Sequence, residues 1–333
     1  MKSILRFVLF VIILCWRIFP AAGQITLFDQ NYSFSISGGL GFLYGTSYEI
    51  VYRNSGSKDY LSELQWEIKP LLYLGLNVEF GPQNPLEQWG LFANLGVKAG
   101  LPMETGIMED RDWMPQSEVP GSLTHFSSHD NYTRAAFLIN LGAGLSLPLS
   151  NFLINLSLNF DYWYFKWEGR NGFLQYGPNR YNWTLGSPLY QSWSPNFEKV
   201  PITGLAISYT QHWLLTSFGI GAEYFLDRFT FSAAVLLGFA NCKAIDDHHL
   251  TDTRFTGILS MGFTVRPKLG IFFSISDSID IGLSAAYIYI GETRGDTEEI
   301  SGTGNREIYR DAEGAAFRAF DVNLLFRFRL VKP

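Results

Sequence analysis

The sequence predicts an all-β protein, a ten-stranded antiparallel transmembrane β-barrel. Alternating apolar and polar residues recur in long segments, and the composition combines 16% aromatic residues with only 17% charged residues and 32 Gly. After the N-terminus, no stretch approaches the roughly 18 consecutive apolar residues of a membrane-spanning helix. These features exclude a helical membrane protein and favour a large all-β chain.

The first residues have the pattern of a secretory signal peptide. Basic residues precede an apolar run at 7–16, and small residues follow up to Gly23. We therefore assign residues 1–23 to a signal peptide and residues 24–333 to the barrel. Removal of three bases and no acid changes the formal charge from -6 to -9. An acidic chain of this kind disfavours nucleic acid as a partner and attracts basic ligands.

Alternation along the chain predicts strands with one apolar and one polar face. In residues 152–164 the even positions are Phe, Ile, Leu or Tyr, while Asn, Ser and Asp occupy odd positions from 155 to 161. The same alternation recurs in residues 318–330, where the apolar face is at even positions from 320 on, and in residues 281–289, where it is at odd positions. Such segments exceed the usual strand of about five or six residues and fit tilted membrane-spanning strands. Because the hydrocarbon layer offers no water to unpaired edges, the sheet is expected to close.

Ten alternating segments are present, and an even number is typical of bacterial outer-membrane barrels. The joints alternate between short and long, and short joints are expected to face the periplasm and long ones the exterior. The predicted strands cover residues 32–52, 60–79, 88–105, 130–148, 152–169, 200–224, 228–244, 254–274, 279–293 and 313–330.

Two acidic clusters fall at the exterior ends of predicted strands. Asp110 and Asp112 stand two apart in a predicted loop after the third strand, within METGIMEDRDWMPQS. The second cluster, CKAIDDHHLTDTRF at residues 242–255, follows the seventh strand. Short acidic clusters are most often solvated loops. In extended chain, however, residues two apart share a face, so one Asp-x-His pair can point into the barrel mouth.

A carboxylate beside an imidazole orients the ring and supports its cationic form, so that the other nitrogen can take a proton from water. Asp110 and Asp112 could hold the far side of that water and, as close like charges, share a proton. This set would be a hydrolytic site without a covalent nucleophile. We expect no metal or other cofactor, because zinc requires three or four convergent ligands and the clusters supply at most one His on the right face.

Three short segments carry distinctive motifs: GFLYGTSYEIVY at residues 41–52, SELQW at residues 62–66 and DRDWM at residues 110–114. The first is similar to G-x-L-x-G-x-x-x-E-x-V-Y, the second to the second strand, and the third to D-x-D-W-M of the omptins. The chain thus resembles this family of outer-membrane proteases, which are built on a ten-stranded barrel. The resemblance runs over most of the mature chain. It implies an active site in which two aspartates and an Asp-x-His pair bind water between them.

Matching residue by residue, the resemblance assigns Asp110 and Asp112 to the first pair. The sequence DDHH leaves two registers for the second. Asp246 and His248 are preferred because DDHH then follows the family order D-E-H-Y. Asp247 and His249 are favoured instead by an ungapped match through EYF at 223–225.

The sequence departs from the omptin pattern at two positions implied to bind ligands, one in the substrate pocket and one at the lipid surface. The resemblance implies a pocket for a basic substrate side chain, with Glu49 as one acid, but Ala244 stands where the second acid is expected. We therefore expect weakened selectivity for Arg or Lys. Tyr164 occupies a position of a lipopolysaccharide-binding arginine, so the resemblance does not support dependence on that lipid.

The resemblance thus predicts an aspartic-type endopeptidase in the outer membrane of a diderm bacterium, cleaving peptides or proteins at the exterior barrel mouth. The alternative is a non-enzymatic barrel that acts as an adhesin or structural surface protein. A porin is disfavoured, because side chains largely fill barrels of this strand number.

Overall fold

The computed structural model describes residues 25–27, 30–53, 55–56, 58–182 and 187–330. The predicted signal peptide, residues 1–23, lies outside the described residues. Within those residues, no helix has the length and apolar character needed to cross a membrane.

The strands are β1 (Ile25–Leu27), β2 (Gln30–Tyr52), β3 (Tyr60–Pro82), β4 (Gly90–Gly100), β5 (Met103–Asp112), β6 (His125–Leu149), β7 (Phe152–Tyr176), β8 (Asn179–Asn182), β9 (Ser187–Tyr190), β10 (Val200–Pro201), β11 (Leu205–Leu226), β12 (Phe229–His248), β13 (Thr253–Ser276), β14 (Ile279–Ile300) and β15 (Arg306–Leu330).

The long strands close into a ring of ten positions. The order runs β2, β15, β14, β13, β12, β11, β7, β6, then β4 and β5 together, then β3, which pairs with β2. Strands β4 and β5 share one position because the chain breaks its ladder at Leu101 and Pro102, where proline has no N–H to donate. All of these pairs are antiparallel. The predicted fold class is therefore confirmed.

The barrel has two different ends. Short turns join β6 to β7, β11 to β12 and β13 to β14 at one end, which we call the turn end. The opposite end, the loop end, carries the joint at residues 113–124 and the described parts of the segment between β7 and β11, residues 177–182 and 187–204. Large apolar side chains are exposed on the outer face of the turn-end half, as expected for a surface in contact with lipid. They include Leu40, Phe42, Leu95, Phe137, Leu141, Leu158, Phe160, Leu214, Phe218, Leu237, Phe239, Phe263, Leu269, Leu283, Phe320 and Leu324.

The strands extend farther at the loop end than the sequence pattern predicted. Asp110 and Asp112 were expected in a loop, but they are the last inward residues of β5. Asp246 and His248 likewise end β12 rather than follow it. Beyond the lipid both faces of a strand meet water or a polar interior, so hydrophobic alternation stops while backbone pairing continues.

Aromatic side chains fill the barrel beneath the loop end. Trp66 stacks on Tyr209 with ring centroids 5.6 Å apart, and Trp167 lies 6.2 Å from Tyr209. Phe165 stacks on Trp167 at 5.1 Å. These side chains are almost fully buried. They form a floor between the loop-end mouth and a cavity of about 450 Å³ nearer the turn end, which both charged and apolar side chains line.

Candidate active site

Asp110 and Asp112 lie on the edge of the mouth formed by β3, β5 and β6. Asp110 pairs with Leu64 and Asp112 with Ser62 in the β3–β5 ladder. The Ser62 hydroxyl donates a hydrogen bond of 3.0 Å to Asp110 Oδ1. This bond holds one carboxylate of the pair in place.

The carboxyl groups of Asp110 and Asp112 influence each other's ionisation. Their carboxyl groups are within hydrogen-bonding reach of each other, and such a contact requires a proton on one of them. Burial raises the pKa of Asp110 to about 6, against the lowering effects of His248 and Ser62. Burial and the charge of Asp110 raise the pKa of Asp112 well above its usual value. Both carboxyl groups are therefore harder to ionise than the carboxyl group of an exposed aspartate.

Asp246 and His248 form the second group of the site. Asp246 is 2% exposed, and His248 Nε2 lies 2.5 Å from its Oδ2. The His248 ring also packs edge-on against Phe255 at 5.4 Å. Burial lowers the pKa of His248, but the negative charges of Asp246, Asp110 and Asp112 outweigh that effect and raise the pKa to about 9. Because Asp110 and Asp112 act on the His248 ring, the two acidic clusters lie close together at the mouth.

The adjacent pair has other partners. Asp247 forms an ion pair of 2.5 Å with Arg254, whose side chain is 57% exposed. His249 Nε2 lies 3.0 Å from the hydroxyl of Ser208. Because side chains alternate along β12, Asp247 projects away from the face that carries Asp246 and His248. The geometry therefore brings Asp246 and His248, the preferred register, to the aspartate pair.

Glu49 joins this set from β2. It is 3% exposed, and its carboxyl group is within hydrogen-bonding reach of Asp246. Burial, followed by the charges of Asp246, Glu313 and Asp110, raises the pKa of Glu49 well above its usual value. The residues selected from the sequence thus meet in one acidic mouth.

Sequence reasoning missed two further residues of the mouth. Glu313 is 3% exposed, and burial raises its pKa to about 8, with Thr297 opposing and Asp246 reinforcing the shift. Its inward position follows from the parity of Phe317 on the same strand, which could have identified it. Tyr176 lies close enough to Asp110 and Asp112 for their charges to raise its pKa after burial. The predicted strands 152–169 and 200–224 leave Tyr176 in the joint between them.

Within the described ranges, no group of three or more His, Cys, Asp or Glu side chains is arranged to hold a metal ion. The mouth combines the two aspartates with the His248 imidazole, which Asp246 contacts.

The Omptin family model matches residues 30–330. The chain belongs to the omptin family. Among solved structures, this omptin is similar to the outer membrane protease OmpT from Escherichia coli, with a TM-score of 0.75, 15% identity and coverage of 90% of this chain and 97% of that chain. Comparison with curated protein sequences gave no match.

Two further barrels show weaker likeness. The translocator domain of the autotransporter NalP from Neisseria meningitidis has a TM-score of 0.37 and 10% identity, covering 90% of this chain and 88% of that chain. The toluene transporter TodX from P. putida has a TM-score of 0.32 and 11% identity, covering 90% and 91%.

Family membership determines the general activity and location. This omptin is an outer-membrane protease of a Gram-negative bacterium, a hydrolase whose substrates are peptides or proteins. The predictions of family, barrel fold and outer-membrane location are confirmed.

Proposed function

We propose that this omptin is an aspartic-type endopeptidase that cleaves peptides at the outward-facing mouth of its barrel. The attacking group is a water molecule held between the Asp110–Asp112 pair and the Asp246–His248 pair. The observation that carries this proposal is the 2.5 Å contact between His248 and Asp246, on the same inner face that receives the charges of both aspartates.

His248 acts as the general base in this mechanism. Asp246 holds one ring nitrogen and stabilises the imidazolium, so the other nitrogen is free to accept a proton from the water. The hydroxide equivalent adds to the scissile carbonyl carbon, and the carbonyl π electrons move to its oxygen. His248 then returns the proton to the leaving amine as the C–N bond breaks. No covalent acyl intermediate is required.

Asp110 and Asp112 position the water and stabilise developing charge. Asp110, held by Ser62, accepts a hydrogen bond from the water. Burial and the charge of Asp110 raise the pKa of Asp112 well above its usual value, and a proton on Asp112 can be donated toward the oxygen of the tetrahedral intermediate. The two carboxyl groups therefore have different roles although they are two residues apart.

Dependence on lipopolysaccharide is not expected. Tyr164, at the position where the resemblance implies a lipid-binding arginine, packs edge-on against His212 with ring centroids 5.1 Å apart. Addition of lipopolysaccharide to the refolded protein is expected to leave cleavage unchanged, and a strong activation would contradict this expectation.

A peptide library tests the proposed function. The purified protein, refolded in detergent, is incubated with the library, and the products are mapped by mass spectrometry. We expect internal cleavage that the double variant Asp110→Ala/Asp112→Ala lacks. Absence of cleavage by a correctly folded native protein would favour the non-enzymatic adhesin or structural role, and equal cleavage by the double variant would exclude the mechanism.

A further inference from the structure

Glu313 reaches into the pocket from the last strand of the barrel. It lies on the inner face of β15, where its neighbour Ala315 pairs with Glu49 in the β15–β2 ladder. The carboxyl group extends across β14 and lies over Gly257 of β13. A Cβ atom at position 257 would overlap that carboxyl group, so glycine leaves the space that Glu313 occupies.

Gly257 pairs directly with Ala244 of β12. The Glu313 carboxyl group therefore lies beside the position at which the sequence lacks an acid. Ala244 itself is fully buried and has no polar group to offer. The weakened selectivity for Arg or Lys expected from the sequence was based on Glu49 as the single acid of the pocket, without Glu313.

The two glutamates are buried in acidic surroundings. Glu49 Oε2 and Glu313 Oε2 are both buried, and neither has a hydrogen-bond partner within the described part of the chain. Asp246, which is also acidic, acts on the ionisation of both glutamates. Among the described residues, no Lys or Arg side chain contributes to the pKa shift of either one. Buried carboxylates without partners are costly, and a cation that enters between them relieves that cost.

An aromatic surface forms the floor below these carboxyl groups. The charges of Glu49 and Glu313 both act on the Tyr209 hydroxyl, and the Tyr209 ring stacks on Trp66 at 5.6 Å. A planar guanidinium group can pair with carboxylates and stack on aromatic faces at the same time. The side chain of arginine in a peptide has both properties.

We propose that Glu313 is a specificity-determining residue that, together with Glu49, binds the basic side chain of the substrate. The proposal rests on the proposed peptidase function. Glu313 supplies, from a different strand, the charge that position 244 lacks, so this omptin selects arginine before the scissile bond.

Matched peptides that carry arginine or its neutral isostere citrulline before the scissile bond test this assignment. We expect native protein to favour the arginine peptide in kcat/KM, and Glu313→Gln to reduce the arginine-to-citrulline ratio by about tenfold or more, since hydrogen bonds to charged groups are strong. The control Glu307→Gln removes an exposed acid from the same strand and should leave the ratio unchanged.

A second variant distinguishes charge from packing. Adding Ala244→Asp to Glu313→Gln returns a carboxyl group to the same region of the pocket, and we expect it to restore part of the ratio. An unchanged ratio in folded Glu313→Gln, or equal cleavage of both peptides by the native protein, would overturn the assignment.

Binding separates this proposal from the failure of the peptidase function. If the native protein cleaves neither peptide, the anisotropy of fluorescently labelled arginine and citrulline peptides is measured on the native protein; otherwise it is measured on His248→Ala. Preferential binding of the arginine peptide that Glu313→Gln abolishes supports the subsite independently of cleavage. Equal binding of the two peptides contradicts it.

Discussion

His248 Nε2 lies 2.5 Å from Asp246 Oδ2, whereas the adjacent His249 lies 3.0 Å from the hydroxyl of Ser208. Two consecutive histidines thus have different partners. The Asp246 carboxylate is 2% exposed, so it supports the cationic form of His248 strongly.

This difference predicts opposite results for two alanine variants. His248→Ala should lower kcat/KM by about 10²- to 10⁴-fold, the usual contribution of a general base. His249→Ala should remain within a few-fold of native activity. Initial rates with one fluorogenic peptide measure both, and heat-modifiable mobility in SDS gels checks the fold. Inactive His249→Ala beside active His248→Ala would reverse the register.

The pH dependence of cleavage should follow the His248 ring. Its pKa is raised to about 9, so the ring is protonated below that pH and cannot act as a base. We therefore expect kcat/KM to rise with pH toward about pH 9. Asp246→Asn removes the charge that raises the pKa of His248 most. The rising part of the pH–kcat/KM profile should therefore shift to lower pH, and the maximum rate should fall. An identical rising part in Asp246→Asn would show that another group titrates.

Loss of the Ser62 hydroxyl should weaken the positioning of Asp110. Ser62→Ala removes a hydrogen bond of 3.0 Å to the carboxylate, and we expect about a tenfold lower kcat, given that hydrogen bonds to charged groups contribute roughly 1.5–3 kcal/mol. Ser128→Ala, which follows the inward Ser127 on β6, serves as the control. Equal kcat values for the two variants would exclude this role for Ser62.

Stability should depend on an ion pair inside the barrel. Arg266 Nη2 lies 2.6 Å from Asp161 Oδ2, and both side chains are 3% exposed. Asp161→Ala leaves a buried guanidinium unpaired and should lower the free energy of unfolding by about 3–5 kcal/mol. Asp247→Ala breaks only the surface pair with Arg254 and should cost no more than about 1 kcal/mol. Urea unfolding in detergent compares them, and similar losses would contradict the expectation.

Several features of the site could be predicted from sequence because β12 alternates without interruption. Its outward side chains at Phe229, Phe231, Leu237 and Phe239 have odd numbers, so Asp246 and His248 fall on the inner face. The same rule fails on β7. Asn171 and Gly172 have positive φ angles of 54° and 91°, and the face of every later residue changes there, including Tyr176.

The sequence by itself determined the strand class, the membrane-facing pattern and the acidic clusters, because two-residue alternation and short motifs are local properties of the chain. Only the tertiary structure decided that Glu313 shares a pocket with Glu49. That proximity depends on the pairing of β15 with β2, which joins opposite ends of the sequence when the barrel closes. It also depends on the absence of a side chain at Gly257. Neither the closing register nor space left across the lumen is encoded in a local pattern, because both arise from strands that meet only after the sheet has closed.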